Sequence, residues 1–181
     1  MANTTFDGPV RSKNGFINLG PSAVKAETLA TDLTVAEHAG RLVTMDPAGT
    51  PTAITIPAIN ATADSAIAGP GSDPNNPNTI GTTFEILFID DFTGTIKTAN
   101  TADKFVGMVT IGIDSSTAGK QFVPATANNE VNLNGEAGAS VATTGGLKGS
   151  RIKFTAIAAN LYAVEGLLNG TGSIATPFDS Q

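Results

Sequence analysis

Short apolar runs, each closed by Gly, Pro, Asn or Asp, follow one another roughly every ten residues from Leu33 to the end of the chain. None carries the long i, i+3, i+4 spacing of an amphipathic helix, so the chain must be built from short strands and turns. Thr82 to Ile89 alternates most clearly, with Phe84, Ile86 and Phe88 on one side and Glu85, Leu87 and Ile89 on the other. Asp90 to Gly94 then reads as a turn, with Thr95–Thr98 returning as a hairpin partner. Phe105 to Asp114 places Val109, Ile111 and Ile113 on one face, and its Gly107 and Gly112 predict a bulge or a close backbone approach. Short strands are expected at Phe122-Val123 and Val131 to Leu133. Arg151 to Ala156 alternates with Ile152, Phe154 and Ala156 inward, turns at Ala159-Asn160 and returns through Leu161 to Leu168. Ile174 to Phe178 closes the series. About nine to eleven such strands predict an all-β sandwich or barrel. No fixed-period repeat points to a solenoid or propeller, and no helix is available to bridge a parallel βαβ sheet.

The rest of the chain is less regular. Residues 1–22 hold Phe6, Val10, Phe16, Ile17 and Leu19 between Gly8, Pro9, Gly15, Gly20 and Pro21, and read as an extended arm. Residues 23–181 are expected to form one domain. Within it, 23–40 reads as strand, turn, strand: Leu33 and Val35, a turn at His38-Ala39-Gly40, then Leu42 and Val43. A short helix near 23–31 is the alternative. Ala53 to Ile56 is a strand ended by Pro57, and 60–79, with its Gly and Pro recurring through 69–78, is a long surface loop.

Composition narrows function more than fold. Charged residues are 14% of the chain against a usual ~25%. The polar surface is therefore carried by Thr, Asn, Ser and Gly, and packing it against a neighbour desolvates little charge. Net charge is −6 with no basic cluster, which argues against nucleic acid. No run of ~20 apolar residues offers a membrane span, and the first residues lack the apolar core of a signal peptide. The sequons at Asn3, Asn60 and Asn169 are accordingly read as chance. Cysteine is absent, so neither disulfides nor thiolate chemistry is available.

Three stretches carry a resemblance. FDGPVRSKNGF at 6–16 looks like the opening of structural proteins from tailed phages, including marine cyanophages. LTVAEHAGRLVTMDPAGTPTAITIPA from Leu33 resembles a strand-turn-strand unit of phage virion proteins, and GGLKGSRIKFTAIAANLYAVEGLLNGTGSIATPF resembles their tail end. The likeness is to capsid decoration (cement) proteins. It implies a sandwich fold and homotrimers bound to the major capsid protein on the outer surface of the capsid, in particles assembled in the host bacterial cytoplasm. With the strand pattern, it predicts an antiparallel, jelly-roll-like β-sandwich that carries an N-terminal arm and a Pro/Gly-rich loop. A tail or fibre component is the alternative; a glycan binder or hydrolase is a third reading.

Chemistry offers little. A Ser-His-Asp triad would have to use His38, the one histidine, which reads as a turn residue. Asp90, Asp91, Asp103 and Asp114, or Asp64 and Asp73, could offer oxygens to calcium, but no EF-hand spacing is present and turn acids are commoner. One Tyr and no Trp make a poor sugar platform. GGLKGS precedes a strand, where a phosphate-binding loop needs a following helix. The expectation is no catalytic residue, no metal and no cofactor. The arm is the better candidate: Phe6, Pro9, Val10, Arg11, Asn14 and Phe16 are expected to contact the capsid or a sister subunit. Ordering residues 6–16 costs more backbone entropy than burying Phe6, Val10 and Phe16 returns, so the arm needs backbone hydrogen bonds to a partner or packing set by an oligomer; the alternative is an arm folded back on its own domain.

Overall fold

The computed structural model describes residues 24–28, 30–47, 52–61, 79–113, 118–135 and 141–181. Twelve strands and one helical turn fill them: β1 (Val24–Glu27), β2 (Thr31–Asp32), α1 (Val35–His38), β3 (Leu42–Met45), β4 (Thr52–Ile56), β5 (Thr83–Phe88), β6 (Thr93–Thr98), β7 (Lys104–Ile113), β8 (Gly119–Phe122), β9 (Glu130–Asn134), β10 (Arg151–Ala158), β11 (Leu161–Gly170) and β12 (Phe178–Asp179). They form two sheets. Sheet A runs β1-β3-β5-β10-β11-β7-β8, and sheet B runs β12-β9-β6-β4-β2. The described residues are nearly all β, as expected.

Alternation does what the sequence led one to expect. Phe84, Ile86 and Phe88 of β5, Val109 and Ile111 of β7, and Ile152, Phe154 and Ala156 of β10 are all buried. With Ile54, Ile56, Ile96, Val131 and Leu133 from sheet B they make one contiguous apolar cluster, so the inward faces of both sheets share a core. Burying each such side chain contributes about 1.5–3 kcal/mol. The β10–β11 hairpin forms as read, its two-residue turn closed by Asn160 in the left-handed region (φ 57°), which asparagine tolerates.

Pairing direction departs from the expected pattern. Five ladders are antiparallel: β10 with β11, β10 with β5, β12 with β9, β6 with β9, and β7 with β8. The other five are parallel: β1 with β3, β3 with β5, β2 with β4, β4 with β6, and β7 with β11. For the four within β1–β6 the reason is visible in the chain path. β1 to β6 alternate between the sheets, odd strands in A and even strands in B. Each strand in one sheet is thus the crossover that brings the chain back parallel in the other, the work a helix does in a βαβ unit. A jelly roll is made of antiparallel pairs, and this winding is not.

The winding also corrects two local readings. Asp90 to Gly94 is no hairpin turn but a corner between sheets, since β5 lies in A and β6 in B. Phe92 fills that corner, buried and stacked on Phe88 at 4.5 Å between ring centres. Val35 begins a helical turn where a strand was expected, because Thr34 acts as its N-cap: the Thr34 hydroxyl accepts the Glu37 N–H at 3.2 Å. The alternative of a helix at 23–31 gives way to β1 and β2.

Gly107 meets its expectation. Its φ is +125°, and a Cβ there would lie 2.1 Å from the Val164 carbonyl oxygen of the neighbouring parallel strand. Gly146 (φ +101°) plays the same part in the turn before β10, where a Cβ would sit 2.4 Å from the Phe92 oxygen and its own carbonyl accepts the Phe92 N–H at 2.8 Å. The two ends of the stretch read as a long loop are tied together. Thr79 N–H donates to the Asn60 carbonyl at 2.9 Å, and Asn60 N–H donates to the Thr79 hydroxyl at 2.8 Å. The loop residues 62–78 themselves lie outside the described set.

Candidate functional site

The outward face of sheet A is built by the same alternation that fills the core. Cross-strand register sets Leu42, Glu85, Lys153, Glu165 and Met108 in one row, and Thr44, Leu87, Arg151, Leu167 and Thr110 in the next. Glu85, Met108, Thr110, Arg151, Lys153 and Glu165 line part of a shallow open groove of about 400 Å³. Its charges pair among themselves. Arg151 donates to Glu85, and Lys153 Nζ donates to Glu165 Oε1 at 2.8 Å, which raises the lysine's pKa. Exposed pairs of this kind stabilise little, but they leave a partner no uncompensated charge to meet.

Beyond this charged belt, toward the β7–β8 edge, the face turns apolar. Val106 and Met108 are exposed, Val123 is 68% exposed and Leu167 is 70% exposed. Sequence reading passed over these residues. The signal was present: Val106 and Met108 occupy positions of β7 opposite in parity to Val109 and Ile111, so both faces of that strand are apolar. Large apolar side chains on an outward face mark an interaction surface when they adjoin.

His38 is buried in α1 rather than placed in an open turn. Its Nδ1 accepts the Thr34 backbone N–H at 3.0 Å, and its Nε2 faces Glu27 Oε1 at 3.2 Å. An accepting Nδ1 requires the proton on Nε2, which then donates to Glu27. Burial pushes the Glu27 carboxyl up, but the His38 hydrogen bond and the Lys25 charge outweigh it and hold the group below its usual value. Lys25 also reaches Glu37 at 3.2 Å. Thr34, His38 and Glu27 imitate the order of a catalytic triad, yet the lone pair a general base needs is taken by the Thr34 amide, and the Thr34 hydroxyl is occupied as a cap. The cluster straps β1 to α1.

The acids read as candidate calcium ligands do separate work. Asp90 Oδ1 accepts the Asp91 N–H at 3.0 Å, and Asp91 Oδ1 accepts the Lys148 N–H at 2.8 Å, tying the corner to the turn before β10. Asp103 is fully buried and its Oδ2 accepts the Ile59 N–H at 3.0 Å, while its Oδ1 has no partner. Burial raises its pKa, against the Ile59 bond and the Lys104 charge. Burial and the Asp103 charge together raise the neighbouring Tyr162 phenol, which donates to the Pro57 carbonyl at 2.8 Å. Among the described residues no three His, Cys, Asp or Glu side chains gather as a metal site. Asp64, Asp73 and Asp114 lie outside the described residues. So do all six arm residues expected to make contacts: Phe6, Pro9, Val10, Arg11, Asn14 and Phe16.

Comparison of the chain with protein-family models, with curated proteins and with solved structures finds no match. No helix of the described residues is long and apolar enough to cross a membrane.

Proposed function

We propose that this chain is a structural protein of a tailed-phage virion that decorates the outer surface of the capsid, binds the major capsid protein and does so as a homotrimer. The two sheets over one core are, in this reading, the layers of a β-sandwich. The observation that carries it is the outward face of sheet A, where exposed Leu167, Met108 and Val106 adjoin a belt of self-paired charges. Such a face is suited to being covered by protein, and the low charge of the whole chain fits it. The likeness of 6–16, of the stretch from Leu33 and of the C-terminal stretch to decoration proteins points the same way. Function is then attachment without a catalytic step. A trimer that bridges several shell subunits makes its second and third contacts intramolecular, so modest single contacts sum to firm attachment. Three-fold symmetry matches one patch to repeated sites.

Immunogold labelling of virions carrying the chain tests this. Label spread over the heads is expected. Label confined to the tail would replace the reading with that of a tail or fibre component, and unlabelled particles would end both. A glycan array, run with and without calcium, is expected to show no specific binding.

A further inference from the structure

We propose that the apolar corner of Val106, Met108, Val123 and Leu167 receives residues 6–16 of a second copy of this chain. The inference rests on the oligomeric reading above and names what the arm grips. The register that pairs Val109 with Phe122 sets Val123 beside Met108, while Val106 lies two positions along β7 and Leu167 lies on the diagonal across β11, so the patch is centred on Met108 at the β7–β8 edge. β8 pairs only with β7 among the described residues, and its other side leaves backbone groups for an added strand. Those are the hydrogen bonds an arm of this composition needs.

The arm is patterned for such a seat. Phe6, Val10 and Phe16 all fall at even positions, and Asp7, Pro9, Arg11 and Lys13 all fall at odd ones. Extended, it presents one apolar face and one charged face, and Pro9 is tolerated where its nitrogen points away from the ladder. The net charges of arm and body are also opposite in sign. Arg11 and Lys13 against Asp7 leave residues 1–23 at +1, while the other eight bases and fifteen acids leave the rest at −7.

The donor is a neighbour because of where the chain joins sheet A. Val24 lies in the same cross-strand row as Met108 but at the opposite edge, five strands away. At ~4.8 Å per strand that is about 24 Å. Phe16, eight residues before Val24, reaches about 26–29 Å only when fully extended, and the stretch includes Gly20 and Pro21. A chain's own arm would also have to lay its apolar side across Glu85, Lys153 and Glu165. A copy placed with its β1 edge against the β8 edge of the next has neither difficulty, and such head-to-tail contacts make a ring when the rotation between copies closes.

The chain has no cysteine, so single cysteines report unambiguously. Full-length Val10→Cys and Val123→Cys proteins are mixed and oxidised. A disulfide-linked heterodimer of the two variants is expected, formed at least tenfold more slowly when Leu167→Lys is added to the Val123→Cys chain. No mixed dimer, or an equal rate with Leu167→Lys, would overturn the proposal. So would a double variant Val10→Cys/Val123→Cys that closes only within one chain. Binding of the wild-type chain to purified heads is measured separately. Heads bound without a mixed dimer sink this inference and spare the virion reading; a mixed dimer without head binding does the reverse.

Discussion

Among the described residues, Asp103 carries a buried carboxyl group that is only half compensated. One carboxylate oxygen is bonded to Ile59 and the other has no partner, in a position without solvent. Its pKa is raised by burial, so the folded chain holds this proton to a higher pH than the unfolded chain does. Stability from this group is present below the unfolded value and falls as pH rises through the folded one. Asp103→Asn removes that dependence. Urea melts at stepped pH from 4 to 8 should show the variant gaining on the wild type as pH rises; parallel curves would mean the carboxyl is not held this way. Gly107 fails differently. Alanine there adds a Cβ 2.1 Å from a backbone oxygen that a parallel ladder fixes in place. Gly107→Ala should cost about 3 kcal/mol or more, read from the urea midpoint, since the backbone conformation and the clash act together. This glycine was legible in the sequence because it interrupts an otherwise regular strand. Asp103 was not, since nothing in the order Ala102-Asp103-Lys104 tells that Ile59 will arrive beside it.

At the level of elements, the strands were legible and their partners were not. The inward sets of β5, β7 and β10 follow directly from alternation, and the β10–β11 hairpin follows from a two-residue turn. Pairing is decided by the path between strands. The corner at Phe92 looks like a hairpin turn because its residues, Asp-Asp-Phe-Thr-Gly, have the composition of one. Phe92 sends the chain to the other sheet because a buried ring stacked on Phe88 makes the corner part of the core. The strap of β1 was hidden for a similar reason: Glu27 and His38 are eleven positions apart and meet only once α1 turns. His38→Ala removes an acceptor for Thr34 N–H and leaves Glu27 without its donor. The expected loss is about 2 kcal/mol, with amide exchange quickening first in β1 and α1. Uniform exchange across sheet A would contradict that placement. The outward apolar corner on β7, β8 and β11 was within reach of sequence reading, by attention to the second parity of each strand.

For the whole molecule, the winding explains why no repeat is visible. Val24 pairs with Leu42 and Thr31 with Ile54, but Leu42 next pairs with Glu85 and Thr52 with Gly94. The successive turns differ in length roughly twofold, because residues 62–78 fall within the two longer ones, and a sequence period cannot survive that. Most ladders also join residues far apart in the chain. Loop closure must precede such contacts, which places folding among the slow, ms–s class of β proteins. Stopped-flow refolding from urea should show a main phase on the order of seconds; completion within a millisecond would contradict a core assembled from distant segments.

The tie between Asn60 and Thr79 has a practical corollary. Because the two ends of the excursion are held together by their own hydrogen bonds, the sheets do not register how much chain is placed between them. Lengthening there costs only about 0.6 kcal/mol per doubling. The position is a natural port: a foreign epitope, an affinity tag or a small folded module can be spliced in, and the scaffold beneath should carry it unchanged.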